Sequence, residues 1–77
     1  MLLKVGATYE HVKTGKQYKL VALGKQAHGK NELEDIVVYE ALYDNPVSQV
    51  WVRPKENFLG DAQSPDGSMH PRFKLVE

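Results

Sequence analysis

The chain is 77 residues long, carries ten Lys/Arg against ten Asp/Glu, and has no cysteine. That length admits one hydrophobic core and a single domain, 1–77, of modest stability, because a domain this small buries only about 60% of the surface its unfolded chain exposes. The missing cysteines exclude disulfides, a CxxC redox pair and thiolate metal sites; no apolar run approaches a membrane span, and the balanced charge argues against a dedicated nucleic-acid binder.

In chain order, residues 7–12 alternate polar and bulky side chains and read as a strand. Lys13-Thr14-Gly15-Lys16 is a tight turn in which Gly15 takes positive φ without a Cβ penalty, and residues 17–23 return as the second strand of a hairpin. Residues 24–35 hold two glycines, His28, Asn31 and no apolar run, and read as an exposed loop. Residues 36–43 are the strongest strand, since β-branched and aromatic side chains fit a pleated sheet. Pro46, which cannot donate to a ladder, marks its end. Residues 48–53 form the next strand, ended by Pro54. Residues 55–59 read as one helical turn with Pro54 at its start and Gly60 as its stop. Residues 61–71 are a polar loop with a turn at Pro65-Asp66-Gly67, and residues 72–76 a last alternating strand. The pattern predicts an all-β domain: a small five-stranded SH3-like barrel, or an OB-like or open-roll arrangement, with one short helical turn before the last strand.

A four-residue loop from Asp44 to Val47 sets the pairing of the two central strands, with Glu40 opposite Trp51 and Tyr39 opposite Val52. Side chains alternate along a strand, so Val37, Tyr39, Ala41, Tyr43, Val50 and Val52 then share the core face. The other face carries Val38, Glu40, Leu42, Gln49, Trp51 and Arg53, with Glu40 in reach of Arg53. A one-residue slip would invert the relation between the strands. That second face is too apolar to stand in water without a reason. Either the segment with Phe58, Leu59, Phe73 and Leu75 folds over it, or Trp51 and Arg53 form a binding platform, these being residue types enriched at hot spots.

Tyr9, His11 and Lys13 before a glycine turn and Tyr18, then VVYEALY at 37–43, WVRP at 51–54, Phe58 and PRF at 71–73, together resemble the small, mostly bacterial family catalogued as domain of unknown function 1653. The resemblance runs from about Tyr9 to Phe73 and implies a compact β-rich domain with no assigned activity. Three departures stand out: Glu40 occupies a position where the family pattern usually has an arginine, and the stretches 23–26 and 44–49 look longer than the pattern.

The charge is balanced only in sum. Residues 1–30 hold six lysines against Glu10, whereas residues 31–77 hold four basic groups against nine acids. Interleaving of the two parts in a compact domain would cancel much of this field. His11, His28 and His70 lack the spacing of metal ligands, and Glu32, Glu34 and Asp35 near His28 read as solvated loop charges. Ser48, Ser64, Ser68, Thr8 and Thr14 sit in no nucleophile motif, and no phosphate-binding glycine loop is present. Tyr9 and His11 share a strand face; Tyr9 is expected in the core and His11 at the strand end with a backbone hydrogen bond. Arg72, between Pro71 and Phe73, is expected to pair with a carboxylate, the alternative being a bound anion.

These readings converge on a non-enzymatic interaction module without metal or cofactor, binding a protein or peptide through Trp51, Arg53, His11, Tyr43 and Arg72. The alternative is a weak single-stranded nucleic-acid binder, with bases stacked on Trp51 or a tyrosine. A homodimer through the apolar face is a third possibility. No membrane partner is expected, and the absence of an export signal at the N-terminus suggests a cytoplasmic protein.

Overall fold

The computed structural model describes residues 3–27 and 33–76. β1 (Thr8–His11) and β2 (Gln17–Ala27) form the expected first hairpin, with Tyr9 opposite Tyr18. Gly15 sits in its turn at φ 72°, a left-handed conformation that costs glycine nothing. β3 (Leu33–Ala41) pairs with β2 over nearly its whole length. The stretch expected as a loop is therefore largely ribbon: residues 24–27 pair with residues 33–36. Both faces of this ribbon carry exposed residues, so it needs no apolar alternation that a sequence reading would detect. Lys25 and Asp35 form an ion pair across it. His28, Asn31 and Glu32 lie outside the described residues.

β4 (Val50–Pro54) runs along the far side of β3, and α1 (Lys55–Leu59) follows directly. Pro54 has φ −55° and ψ 140° and so stands just before the helix rather than inside it, where its missing N–H is still no loss. Gly60 ends α1 with extended φ of −74°; a Cβ there would lie 3.3 Å from the Glu56 carbonyl oxygen, so close approach, not handedness, favours glycine. The expected polar loop at 61–71 is a second small hairpin, β5 (Asp61–Gln63) with β6 (Met69–Pro71), turning at Gly67 with φ 92°. β7 (Phe73–Leu75) then pairs with β1.

The main sheet has five antiparallel strands in the order β4-β3-β2-β1-β7. β4 and β7 are its edges and do not pair with each other, so the domain is all-β but no closed barrel forms. One face of the sheet is the core side, where Ala7, Tyr9, Leu20, Val37, Tyr39 and Phe73 are buried together with Phe58 from α1. The Phe58 and Phe73 rings stack with centroids 4.1 Å apart and planes 6° from parallel. Among the described residues no helix is long and apolar enough to cross a membrane.

The register of β3 with β4 differs from expectation by one residue. Tyr39 lies opposite Trp51, Val38 opposite Val52 and Glu40 opposite Val50. The cause is the connection between the strands, which is longer than four residues and is held by side-chain amides. Asn45 Oδ1 accepts the Val47 N–H at 3.0 Å, an Asx turn. The Gln49 amide accepts the Asn45 N–H at 2.7 Å and donates to the Tyr43 carbonyl at 3.0 Å. The last backbone bond, Ala41 N–H to the Gln49 carbonyl at 2.7 Å, then fixes the pairing. One residue of slip exchanges the faces of a strand. Trp51 and Arg53 consequently stand on the core side, whereas Val50 and Val52, expected in the core, are 52% and 55% exposed.

Candidate functional site

The core side of the sheet is a layer of rings against which α1 packs through Phe58. Tyr18 meets Tyr39, Tyr43 and Phe73 edge to face, with centroids 5.3, 5.6 and 5.9 Å away. Such edge-on contacts set a positive ring edge against a negative ring face. The layer is wet at its rim: Tyr18, Tyr43, Trp51, Arg53 and Arg72 are each only partly buried. The Tyr18 and Tyr43 hydroxyls share a hydrogen bond of 2.7 Å, and Asn45 Nδ2 donates to Tyr43 at 2.9 Å. Burial, the bond to Tyr43 and the neighbouring phenols push the Tyr18 hydroxyl well above the usual tyrosine range, so it stays protonated. Lys16 Nζ lies 4.5 Å from the centre of the Tyr43 ring. The Trp51 indole N–H donates to the Ser48 carbonyl at 2.8 Å.

Both guanidinium groups of the chain meet at Asn57. Arg53 Nη1 donates to Asn57 Oδ1 at 2.6 Å, and Arg72 Nε to the Asn57 carbonyl at 3.1 Å. Arg53 Nε also donates to the Tyr39 hydroxyl at 2.8 Å, while its Cζ stands 5.7 Å from the Phe73 ring centre. Arg72 Nη2 donates to the Asp61 carbonyl at 3.2 Å. His11 closes the group, its ring edge-on to Phe73 at 5.0 Å. Its Nδ1 accepts the Lys13 N–H at 3.1 Å, which assigns the ring proton of the neutral form to Nε2. Burial lowers the His11 pKa below its ordinary value, and the positive charges of Arg53, Arg72 and Lys13 lower it further. His11 is therefore predominantly neutral at pH 7.

The five residues singled out from the sequence, Trp51, Arg53, His11, Tyr43 and Arg72, all belong to this one side of the sheet. The face itself is not the one expected. Trp51 and Arg53 share it with Tyr39, whereas Glu40 lies on the opposite face between Val50 and Lys19, away from Arg53. Glu40 therefore does not share the face of Trp51. Tyr9 is core and His11 has its backbone partner, as the strand spacing suggested. Among the described residues Arg72 has no carboxylate partner of the kind expected; its partners are two main-chain carbonyls. Sequence reasoning missed Asn57, which holds both arginines. Its signal was an asparagine inside a short helix, a position that residue type disfavours unless its side chain is in use.

A second polar cluster lies in the β5–β6 turn. Asp66 accepts hydrogen bonds from Ser64 and Ser68, which hold its carboxyl well below the usual range. Ser68 Oγ, donating to Asp66 at 2.6 Å, also meets His70 Nε2 at 2.8 Å. The hydroxyl proton points at the carboxylate, so His70 serves as donor to Ser68 and the cluster clamps the turn.

A family profile described as "Protein of unknown function (DUF1653)" matches residues 7–75. The chain belongs to that family. Neither the curated proteins nor the solved structures contain a match. Within this DUF1653 domain, the VVYEALY, WVRP and PRF stretches supply Tyr39, Tyr43, Trp51, Arg53, Arg72 and Phe73. The matched range therefore contains the whole aromatic and cationic layer.

Proposed function

We propose that this protein is a small non-catalytic interaction module that binds a peptide segment of a partner protein across its aromatic and cationic sheet face. The observation that carries the reading is the partial cover of that face. Tyr18, Tyr43, Trp51 and both arginines remain partly accessible around the buried rings of Tyr39, Phe58 and Phe73. Rigid aromatic surface offers contact area at little entropic cost, and Arg and aromatic residues are the usual anchors of binding energy.

A nucleic-acid role has less support. Of the N-terminal lysines, Lys19 lies opposite Glu40 on the outer face, Lys25 pairs with Asp35, and Lys16 lies on Tyr43, three different surroundings. Such binding would need several free cations along one groove and would weaken steeply with salt.

The test is a selection of dodecapeptides on the immobilised domain, followed by amide NMR of the labelled domain with the selected peptides. Shifts centred on His11, Tyr43, Trp51, Arg53 and Arg72 are expected. Shifts confined to the outer face around Val50 and Val52 would overturn the reading, as would binding by a thymidine oligonucleotide that exceeds peptide binding and collapses with salt.

A further inference from the structure

We infer that the cluster around Asn57 is a receptor for an oxyanion, a carboxylate or phosphoryl group carried by the bound peptide. The inference rests on the interaction-module reading and gives its ligand a chemistry.

The chain has two arginines among ten Lys/Arg, and both converge on one asparagine. Each guanidinium uses two of its N–H groups, Arg53 on the Tyr39 hydroxyl and Asn57, Arg72 on the carbonyls of Asn57 and Asp61. A guanidinium has five N–H donors, so each keeps donors in reserve. Among the described residues neither forms an ion pair; the one present is Lys25–Asp35, on the ribbon. His11 adds an Nε2–H with no protein acceptor among the described residues, because its Nδ1 is taken by the Lys13 N–H. The cluster thus keeps spare donors, and among the described residues no carboxylate lies within ion-pair distance of either guanidinium.

The orientation is fixed as well as the composition. Arg53 is held by two bonds and lies over Phe73, His11 stands edge-on to the same ring, and Arg72 is the residue before it. Arginine in place of lysine suits planar, two-point recognition of a carboxylate or phosphate. Two guanidinium groups that meet at Asn57 with no ion-pair partner among the described residues repel one another, and an oxyanion between them relieves that repulsion. Burial and these same cations favour neutral His11, leaving it a single hydrogen-bond donor rather than a third charge. A peptide is favoured over a nucleic acid because the cluster holds two arginines, while Lys16 lies on Tyr43 and Lys25 pairs with Asp35.

The experiment is an NMR titration of the arginine Nε–H resonances, of which the chain has only two, with inorganic phosphate and separately with acetate. Ionic strength is held constant with sodium chloride. Both resonances and the amide of Phe73 are expected to move along one saturating curve in the millimolar range. Arg72→Gln is expected to weaken that curve about tenfold, the loss of one charged hydrogen-bonding contact, and Arg72→Lys to restore it only in part. Lys74→Gln, on the outer face, leaves it unchanged. Saturation by both anions points to a carboxylate or phosphoryl group, and by phosphate alone to a phosphorylated residue. Linear shifts without saturation, or a curve unaffected by Arg72→Gln in a variant that keeps the wild-type amide spectrum elsewhere, would overturn the inference. So would a ten-nucleotide thymidine strand that binds far more tightly than phosphate. Selected peptides that bind equally to wild type and Arg72→Gln would sink the oxyanion and leave the module standing; saturating anions with no peptide bound would do the reverse.

Discussion

On the inner face of the sheet every buried ring touches another ring, and hydroxyls, a histidine and two guanidiniums are threaded among them. On the outer face Val50 and Val52 stand in water beside Glu40 and Lys19, with Glu10 opposite Lys74 farther along. Valines flanked by charges of both signs are ordinary for an antiparallel sheet with one solvated side. Polar groups set into an aromatic layer are not, since each must find a partner or lose its hydration. The inner face therefore keeps its polar groups at some cost to packing, and it is there, not on the more exposed valines, that a binding function is to be sought.

The sharpest way to probe that contrast is to remove one ring. Phe58→Ala empties a position that is 1% exposed and stacked on Phe73. It is expected to cost about 3–5 kcal/mol, enough to leave a domain this small largely unfolded at 25 °C by urea titration. A loss under 1 kcal/mol would mean that α1 is not an integral lid. Tyr18→Phe keeps the ring and deletes the shared hydroxyl bond to Tyr43, with an expected loss of about 1 kcal/mol read from the same titration.

Acid provides a further difference between the faces. The folded state holds His11 below its ordinary pKa of 6.5, mainly by burial. The unfolded chain consequently takes up the proton first as pH falls through that value, and stability declines from there toward the lower folded-state pKa. Denaturation midpoints at pH 7.5 and 5.5 are expected to diverge more for wild type than for His11→Gln. Equal divergence would show that His11 titrates normally. Smallest of all is the outer face: Val50→Thr with Val52→Thr is expected to shift stability by no more than about 0.5 kcal/mol. A loss of 2 kcal/mol or a change in sedimentation would reveal a partner or second copy on the valines.

Much of this contrast was legible in the sequence, but not its polarity. The density of Ile, Val and Tyr at 36–43 marks a central strand, and the Pro54 and Gly60 boundaries mark α1, because local sterics decide both. The five candidate residues were also brought together. Which face they occupy was not readable, since it depends on one residue of register, and that residue is supplied by the Asn45 and Gln49 amides folding the 42–49 connection. Hydrophobic pattern alone favoured the opposite choice, with Val50 and Val52 inward, because it cannot weigh a half-buried indole that finds the Ser48 carbonyl. The solvated ribbon and the β5–β6 hairpin escaped for the complementary reason: neither depends on an apolar stripe. Asn57 could be identified as the shared anchor only once both arginines had been placed in space.

The position of the one tryptophan has an optical consequence. Trp51 lies at the rim of the inner face, directly across from Tyr39, which itself contacts Tyr18. Light absorbed by the phenols can pass to this single indole, whose emission colour depends on the water around it. The domain therefore carries its own untagged lamp at the edge of the proposed groove, and a ligand settling there is expected to blue-shift it without any label being added.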